Sequence, residues 1–443
     1  MKYKCLILED KFKNIDDKLK KNLPLLLDNA NVFILYSNEY DKDRCITNSF
    51  LDAIKLALDH GLQYVNTIIA PTNIKNRYDC IKYILWFSKN KQELLFDKDS
   101  IREKSIWKDL EWGKREKNYN PKGKDPGNVW IPTNDDGKGT ITEHVLMDNA
   151  AVIKRLLNMS MADNKEAIIE QNKTETVLDL EISLPCKEVA SKNIEHKVIF
   201  GTSEHMSKIS NESVSLVVTS PPYWDLKNYY KKGQIGQEDY TLYLERMNAV
   251  WKECIRILNE DGSIWININI RVKDNCPILI PYDYICQLKN QGLYLKNILI
   301  WHKSSGIPTS KKNIVDRHEY VLVFTKNKTT KIHVGNYCDY KNQFMNNTNI
   351  WNINRKAGSV GKKYIHPAIY PNDLTNRIIL NMTKDGDLVC DPFLGSGTTL
   401  ISCINNNRSF IGYEYNEGFQ ELIETRIKSD TQSTTSVVFE SDK

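Results

Sequence analysis

The chain has 443 residues, 41% hydrophobic and 26% charged, which excludes a disordered or fibrous protein and leaves length for two or three domains with real cores. Its 61 basic against 56 acidic residues give a net charge of +5, which permits a polyanionic partner without demanding one. Ten cysteines stand singly, with no CxxC pair and no Cys/His spacing suited to zinc, so neither a disulfide framework nor a metal site is expected.

The N-terminal stretch MKYKCLILEDKFK carries charges where a signal peptide needs its apolar run. No run approaches the roughly 18 apolar residues of a membrane span. A cytoplasmic protein with reduced thiols is therefore expected.

Residues 1–160 read as a diverged copy of part of the C-terminal half. NVFILYSNEY before GLQYVNTII parallels GSIWININIR before GLYLKNILI, at the offset 292 − 61 = 231. Further on, YILWFSKN (83–90) matches YVLVFTKN (320–327), NVWIP (128–132) matches NIWNI (349–353), and VIKRLLNM (152–159) matches TNRIILNM (375–382). Four weak matches in one order make an internal repeat. Residues 161–194 are polar and read as a linker, 195–430 as a second domain, and 431–443 as a polar tail.

In the second domain, β-branched runs alternate with helical patterns: HKVIFG, then 214–220, 263–270, 293–303, 319–326, 387–392 and 409–414. Seven such strands with helices between them predict an α/β fold, a doubly wound, mostly parallel sheet. Tyr240, Tyr243, Met247, Val250, Trp251, Cys254 and Leu258 recur at three- and four-residue steps and predict a helix with one apolar, core-facing side.

Two segments of this domain, both missing from the first copy, carry chemistry. Asp391, Pro392, Phe393, Leu394, Gly395, Ser396, Gly397, Thr398 and Thr399 lie between a buried strand and a helix. Two glycines permit a tight turn with backbone close to a ligand, the helix N-terminus favours an anionic group, and Glu414 ends the next strand, where an acid can bind ribose hydroxyls. This outlines a nucleoside-cofactor site, and no Lys follows Gly397 to make it a phosphate loop. The second segment is Thr219, Ser220, Pro221, Pro222, Tyr223 and Trp224, directly after a strand and so at the carboxyl edge of the sheet. The prolines fix a turn whose carbonyls, with the Ser220 hydroxyl, can accept from an exocyclic amine, and Tyr223 offers a face to a planar base.

These two segments resemble the catalytic and S-adenosylmethionine motifs of DNA amino-methyltransferases, in the β-class order with the catalytic motif first. The resemblance covers roughly 196–427 and includes Trp301-His302-Lys303, Arg317-His318-Glu319-Tyr320 and His366-Pro367-Ala368-Ile369-Tyr370-Pro371. It implies a seven-stranded Rossmann-like methyltransferase sheet preceded by a degenerate methyltransferase-like domain. Ser220, Pro221, Pro222 and Tyr223 would be catalytic. Asp391, Pro392, Phe393, Gly395, Ser396, Gly397, Thr398, Glu414, His366 and Pro367 would bind S-adenosyl-L-methionine. Ser at the first motif position with Tyr after the prolines is similar to the cytosine-N4 subgroup. The implied reaction is methyl transfer to N4 of a cytosine flipped out of double-stranded DNA, as the modification half of a restriction system with a cognate endonuclease.

Adenine-N6 methylation on the same scaffold, and a catalytically silent DNA-binding protein, are the alternatives. A C5-methyltransferase would need a nucleophilic cysteine, and the single Pro-Cys pair, Pro185-Cys186, stands in the polar linker. Where the family has Gly-Asp after its first strand, this chain has Gly201-Thr202, so Glu204 is a candidate substitute. Basic stretches at 227–232 and 355–363 are candidates for phosphate contacts, and base recognition is expected between Lys326 and His366. The first copy either adds DNA contacts or takes the place of a second subunit, making the protein a monomeric pseudo-dimer or a homodimer.

Overall fold

The computed structural model describes the chain apart from residues 1, 72–78, 103–125, 132, 136–140, 145–146, 172–192, 227–230, 304–312, 333–347, 355–358, 361–363, 366–369, 432–435 and 443. The N-terminal half runs β1 (Tyr3–Glu9), α1 (Phe12–Asn22), β2 (Leu26–Tyr36), a hairpin of β3 (Glu39–Tyr40) and β4 (Ile46–Asn48), α2 (Phe50–Asp59), β5 (Gln63–Pro71) and β6 (Ile81–Ser88). A hairpin of β7 (Thr133–Asp135) and β8 (Ile141–His144), then α3 (Asn149–Met159) and β9 (Ala167–Gln171), complete it.

The C-terminal half opens with β10 (His196–Phe200), β11 (Val214–Thr219), α4 (Tyr240–Ile257), β12 (Leu258–Ile268), a hairpin of β13 (Arg271–Lys273) and β14 (Cys276–Ile278), and α5 (Ile280–Asn290). It continues with β15 (Tyr294–His302), β16 (His318–Thr325), β17 (Ile350–Asn352), and β18 (Ser359–Val360) paired with β19 (Tyr364–Ile365). α6 (Asn372–Met382), β20 (Leu388–Asp391), α7 (Thr398–Asn405), β21 (Ser409–Glu414), α8 (Gln420–Asp430) and β22 (Val437–Ser441) end the chain.

Two sheets organise the molecule, ordered β5-β6-β2-β1-β9 and β17-β15-β16-β12-β11-β20-β21-β10-β22. In the second, only β16 runs antiparallel to its neighbours. Strands such as β11 and the second part of β12 are buried on both faces, as parallel strands covered by helices must be, and Val, Ile and Trp fill them. Tyr243, Met247, Val250, Trp251 and Cys254 form the buried stripe of α4, and the Asp239 carboxylate caps its first turn by accepting from Leu242 N–H at 3.1 Å. One apolar cluster runs through both halves, with Phe50 stacked on Tyr83 at 4.0 Å and tilted against Tyr320 at 5.1 Å. No helix among the described residues is long and apolar enough to cross a membrane.

The structure adds detail to three expectations. The second sheet has nine strands, because β17 and β22 extend the expected seven at its edges. The stretch read as a linker contains β9, paired in parallel with β1 from Cys5↔Ala167 to Glu9↔Gln171. The stretch read as a tail contains β22, paired in parallel with β10. Edge strands face solvent on one side and lack the continuous apolar run that marks buried strands.

Candidate active site

β11 and β20 are parallel neighbours, paired at Leu216↔Val389 and Val217↔Cys390, so both predicted motifs leave the sheet side by side at its carboxyl edge. One bond ties them together. Thr219 Oγ1 donates to Asp391 Oδ1 at 2.8 Å. The same carboxylate accepts from Phe393 N–H at 3.0 Å, Thr399 Oγ1 at 2.6 Å and the Tyr370 hydroxyl at 3.1 Å. Asp391 is wholly buried, and burial pushes its carboxyl above the usual range. Its four acceptor positions are all taken within the protein. Asp391, expected to bind the cofactor, is bonded to both turns and to Tyr370.

The turn needs its glycines, since Gly395 has φ +57° and Gly397, which caps α7, has φ +85°. Glu414 closes it from the next strand, accepting from Gly395 N–H at 2.8 Å and Asn416 N–H at 2.7 Å. Burial pushes the Glu414 carboxyl up to about 7. Tyr415 N–H also bonds this carboxylate, so three of its roughly four acceptor positions are taken and capacity is left for a ligand hydroxyl.

Sequence reasoning missed the residue behind this turn. Arg426, on the buried side of α8, is 0% exposed, and its Nη1 donates to Ser396 O (2.9 Å), Ser396 Oγ (2.7 Å) and Thr398 Oγ1 (2.9 Å). Ser396 and Thr398 therefore turn their side chains inward. Pro392 is buried and Phe393 half-buried beside them. His366 and Pro367 lie outside the described residues, but Tyr370, four positions on, reaches Asp391 and stands 2.6 Å from Thr399 Oγ1.

Around the other motif, Pro221 is buried while Ser220, Pro222 and Tyr223 are half-buried. The Pro222 carbonyl accepts from the Tyr243 hydroxyl at 2.7 Å. Tyr223 donates its hydroxyl to Glu319 Oε2 at 2.6 Å, and Glu319 Oε1 is ion-paired with Lys303. The Asn267 amide nitrogen lies 2.7 Å from Glu319 Oε2, 2.9 Å from the Tyr223 hydroxyl and 3.4 Å from Ser220 Oγ. An ionised carboxylate only accepts, so this contact fixes which way the amide faces. Asn267 Oδ1 is buried with no hydrogen-bond partner. Next to Glu319, burial lowers His318 to about 3, which keeps it neutral in the core. Sequence reasoning gave Asn267 no role; its one signal was an amide flanked by Ile266 and Ile268 in the buried part of β12.

Glu204, the candidate substitute near the cofactor, is committed elsewhere: Arg246 donates to both its oxygens, at 3.0 and 2.7 Å, and holds its carboxyl below the usual range. Lys231 stands 5.9 Å over the Tyr415 ring, whose hydroxyl donates to Lys232 O at 3.3 Å, so the described end of the first basic stretch folds beside Glu414. Residues 227–230 and most of 355–363 lie outside the described residues.

With the geometry in place, the sequence profile of a family described as DNA methylase matches residues 214–425. The chain is 30% identical over 260 residues to the Type II methyltransferase M.Cfr9I of Citrobacter freundii, spanning 51% of this chain and 85% of the relative. It is 30% identical over 271 residues to the Type II methyltransferase M.SmaI of Serratia marcescens, spanning 52% and 90%. The chain belongs to the DNA methylase family. Among solved structures, the PvuII DNA methyltransferase (cytosine-N4-specific) is 21% identical with a TM-score of 0.45, covering 55% of this chain and 89% of that one. A DNA modification methylase of Thermus thermophilus, complexed with S-adenosyl-L-methionine, is 23% identical with a TM-score of 0.41, covering 56% and 99%.

This DNA methylase is an enzyme of the N4/N6 amino-methyltransferase type, and S-adenosylmethionine is its methyl donor. The residues present fit that cofactor. A left-handed glycine turn opens α7, and Glu414 beside it keeps a buried carboxylate with acceptor capacity to spare.

Proposed function

We propose that this methylase transfers a methyl group to the exocyclic N4 of cytosine in double-stranded DNA, as the modification enzyme of a restriction system with a cognate endonuclease. The observation that carries the base assignment is the chemistry of the motif: Ser220 rather than an acid or amide opens it, and its hydroxyl stands at the mouth of the Asn267–Tyr223–Glu319 cluster. The restriction setting is supported by the relatives, which are Type II methyltransferases.

S-adenosylmethionine supplies an electrophilic methyl group. The chain's own residues prepare the nucleophile. Lone-pair density on N4 is delocalised into the cytosine ring, so acceptors at the amine hydrogens favour its pyramidal, nucleophilic form. Ser220 Oγ and the Pro221 carbonyl are the groups we assign to that task. Tyr223 presents its ring to the flipped base, and its hydroxyl, tied to Glu319, keeps the ring from swinging away. Because Thr219 and Asp391 are bonded directly, the catalytic turn and the cofactor turn are held in one frame, and alignment of nucleophile with donor supplies much of the rate.

Incubation with S-adenosylmethionine and unmethylated genomic DNA, followed by nucleoside mass spectrometry, tests the assignment. N4-methylcytosine is expected; N6-methyladenine would overturn the base while keeping the enzyme class. Ser220→Ala should abolish transfer and leave cofactor binding intact, and loss of both would mean that Ser220 belongs to the cofactor site.

A further inference from the structure

The family match leaves the N-terminal half unexplained, and strand registers allow it to be laid on the catalytic half position by position. Asn31 pairs with Cys5 and Ser88 as Ser263 pairs with Leu216 and Thr325. The same irregularity falls between Tyr64 and Asn66 as between Leu295 and Asn297. The parallel bridge Ile69↔Val129 matches Ile300↔Ile350. On this register Glu9 stands at the position of Ser220, Leu35 at that of Asn267 and Lys82 at that of Glu319. Lys82 is ion-paired with Glu9, so where the catalytic half has Ser220, Asn267 and Glu319 the N-terminal half has an ion pair and a leucine.

The two halves also meet through matched contacts. Asn349 of the catalytic half accepts from Cys80 N–H at 3.1 Å and donates to Asp79 Oδ1 at 3.1 Å. Asn128 of the N-terminal half accepts from Arg317 N–H at 2.8 Å and donates to Asp316 Oδ1 at 3.0 Å. Asp79 and Asp316 are equivalent, with 316 − 79 = 237 equal to the β6-to-β16 offset 325 − 88. Two equivalent residues making the same pair of bonds in opposite directions are the signature of a two-fold interface between copies. Here the two copies share one chain.

The exchange is symmetric in geometry but not in consequence. Arg317, whose N–H donates to Asn128, accepts at its carbonyl from Lys303 N–H at 2.7 Å. Lys303 and Glu319 form the ion pair that holds the Tyr223 hydroxyl. Asn66 adds a donor to Asp316 at 3.2 Å from the same side. We propose that the N-terminal half is a built-in, catalytically silent partner whose Asn128 positions the Lys303–Glu319 pair, and through it Tyr223, in the catalytic half. Asn128 is thus a positioning residue contributed across a pseudo-two-fold interface. The proposal rests on the assigned role of Tyr223 and is independent of which base is methylated.

The test uses the full chain and compares Asn128→Ala with Asp79→Ala, each of which removes cross-half hydrogen bonds at matched places. Single-turnover incorporation of labelled methyl into DNA, cofactor affinity by calorimetry and the thermal midpoint are measured for each. Both variants should lose thermal stability to a similar degree and bind cofactor normally. Asn128→Ala should lose at least ten-fold in rate, while Asp79→Ala keeps the wild-type rate. In a Tyr223→Phe background, Asn128→Ala should cost nothing further, because both act on one element. A wild-type rate for Asn128→Ala, an equal loss in Asp79→Ala, or full additivity with Tyr223→Phe would each overturn the proposal. If Asn128→Ala does not fold, Asn66→Ala removes a bond to the same Asp316 carboxylate and should lose rate partially; an unchanged rate there overturns it too. If Tyr223→Phe and Tyr223→Ala both turn over normally, the role of Tyr223 fails first, and the two failures are told apart.

Discussion

Tyr223→Phe removes one oxygen atom and isolates the contribution of the hydroxyl from that of the ring. In the structure that hydroxyl donates to Glu319 Oε2 at 2.6 Å, and Glu319 Oε1 is ion-paired with Lys303. A hydrogen bond to a charged group has a net worth of about 1.5–3 kcal/mol. If that bond is what holds the ring in its stacking pose, its loss lowers the productive population by up to that amount, about 10- to 150-fold in rate. Cofactor affinity should not change, because the Tyr223 hydroxyl is engaged by Glu319 and Asn267 on the catalytic side. The assay is single-turnover methyl transfer to DNA, with calorimetry for the cofactor. Tyr223→Ala should go further and abolish transfer by removing the stacking face itself. A Tyr223→Phe enzyme with the wild-type rate would refute the reasoning, since packing alone would then hold the ring and the Glu319–Lys303 pair would have no part in turnover.

Two further perturbations address the cofactor side. Burial raises Glu414 to about 7, well above its unfolded value, so the stability it contributes is present at low pH and is lost as pH rises through 7. Hydroxyl donors from the cofactor favour the charged form, so binding releases this proton: affinity should tighten as pH rises from 6 to 7 and level off above 8, and Glu414→Gln should flatten the profile. Calorimetry across that range checks this, and an unchanged slope in the variant would remove Glu414 from the site. Arg426→Leu leaves Ser396 and Thr398 without their buried donor and should cost about 1–3 kcal/mol in denaturant unfolding, together with cofactor affinity; an unaltered affinity would mean that the glycines alone hold the turn.

The parts of this protein legible in the sequence are those whose signal is local. Buried strands such as Val214–Thr219 announce themselves as β-branched runs, and the two motifs are contiguous because a tight turn at a strand end is built from neighbouring residues. The proposed repeat rests on the apolar pattern of β2, β5 and β6, whose side chains lie in the core shared by both halves. What could not be read are roles that exist only after folding. Arg426 looks like an ordinary helix cation until α8 packs it behind the glycine turn, and Asp391 looks like a ligand contact until its four acceptor positions are counted. Asn267 is one amide in SIWININI until β12 brings it beside Glu319, more than fifty positions away.

The same distinction explains how one half can lose its chemistry and still be kept. The Lys82–Glu9 pair lies at the carboxyl edge of the first sheet, whereas the cross-half bonds of Asp79, Cys80 and Asn128 are made at other places on the same strands and loops. Buried polar contacts of this kind are costly to break singly, because each leaves an unsatisfied partner on the opposite half. Burial has already raised both Asp79 and Asp316 above the usual carboxylate range, so neither tolerates losing its amide donor cheaply. On the proposed reading, the catalytic half therefore depends on the fold of the silent half at this interface and makes no demand on the Glu9 and Lys82 positions.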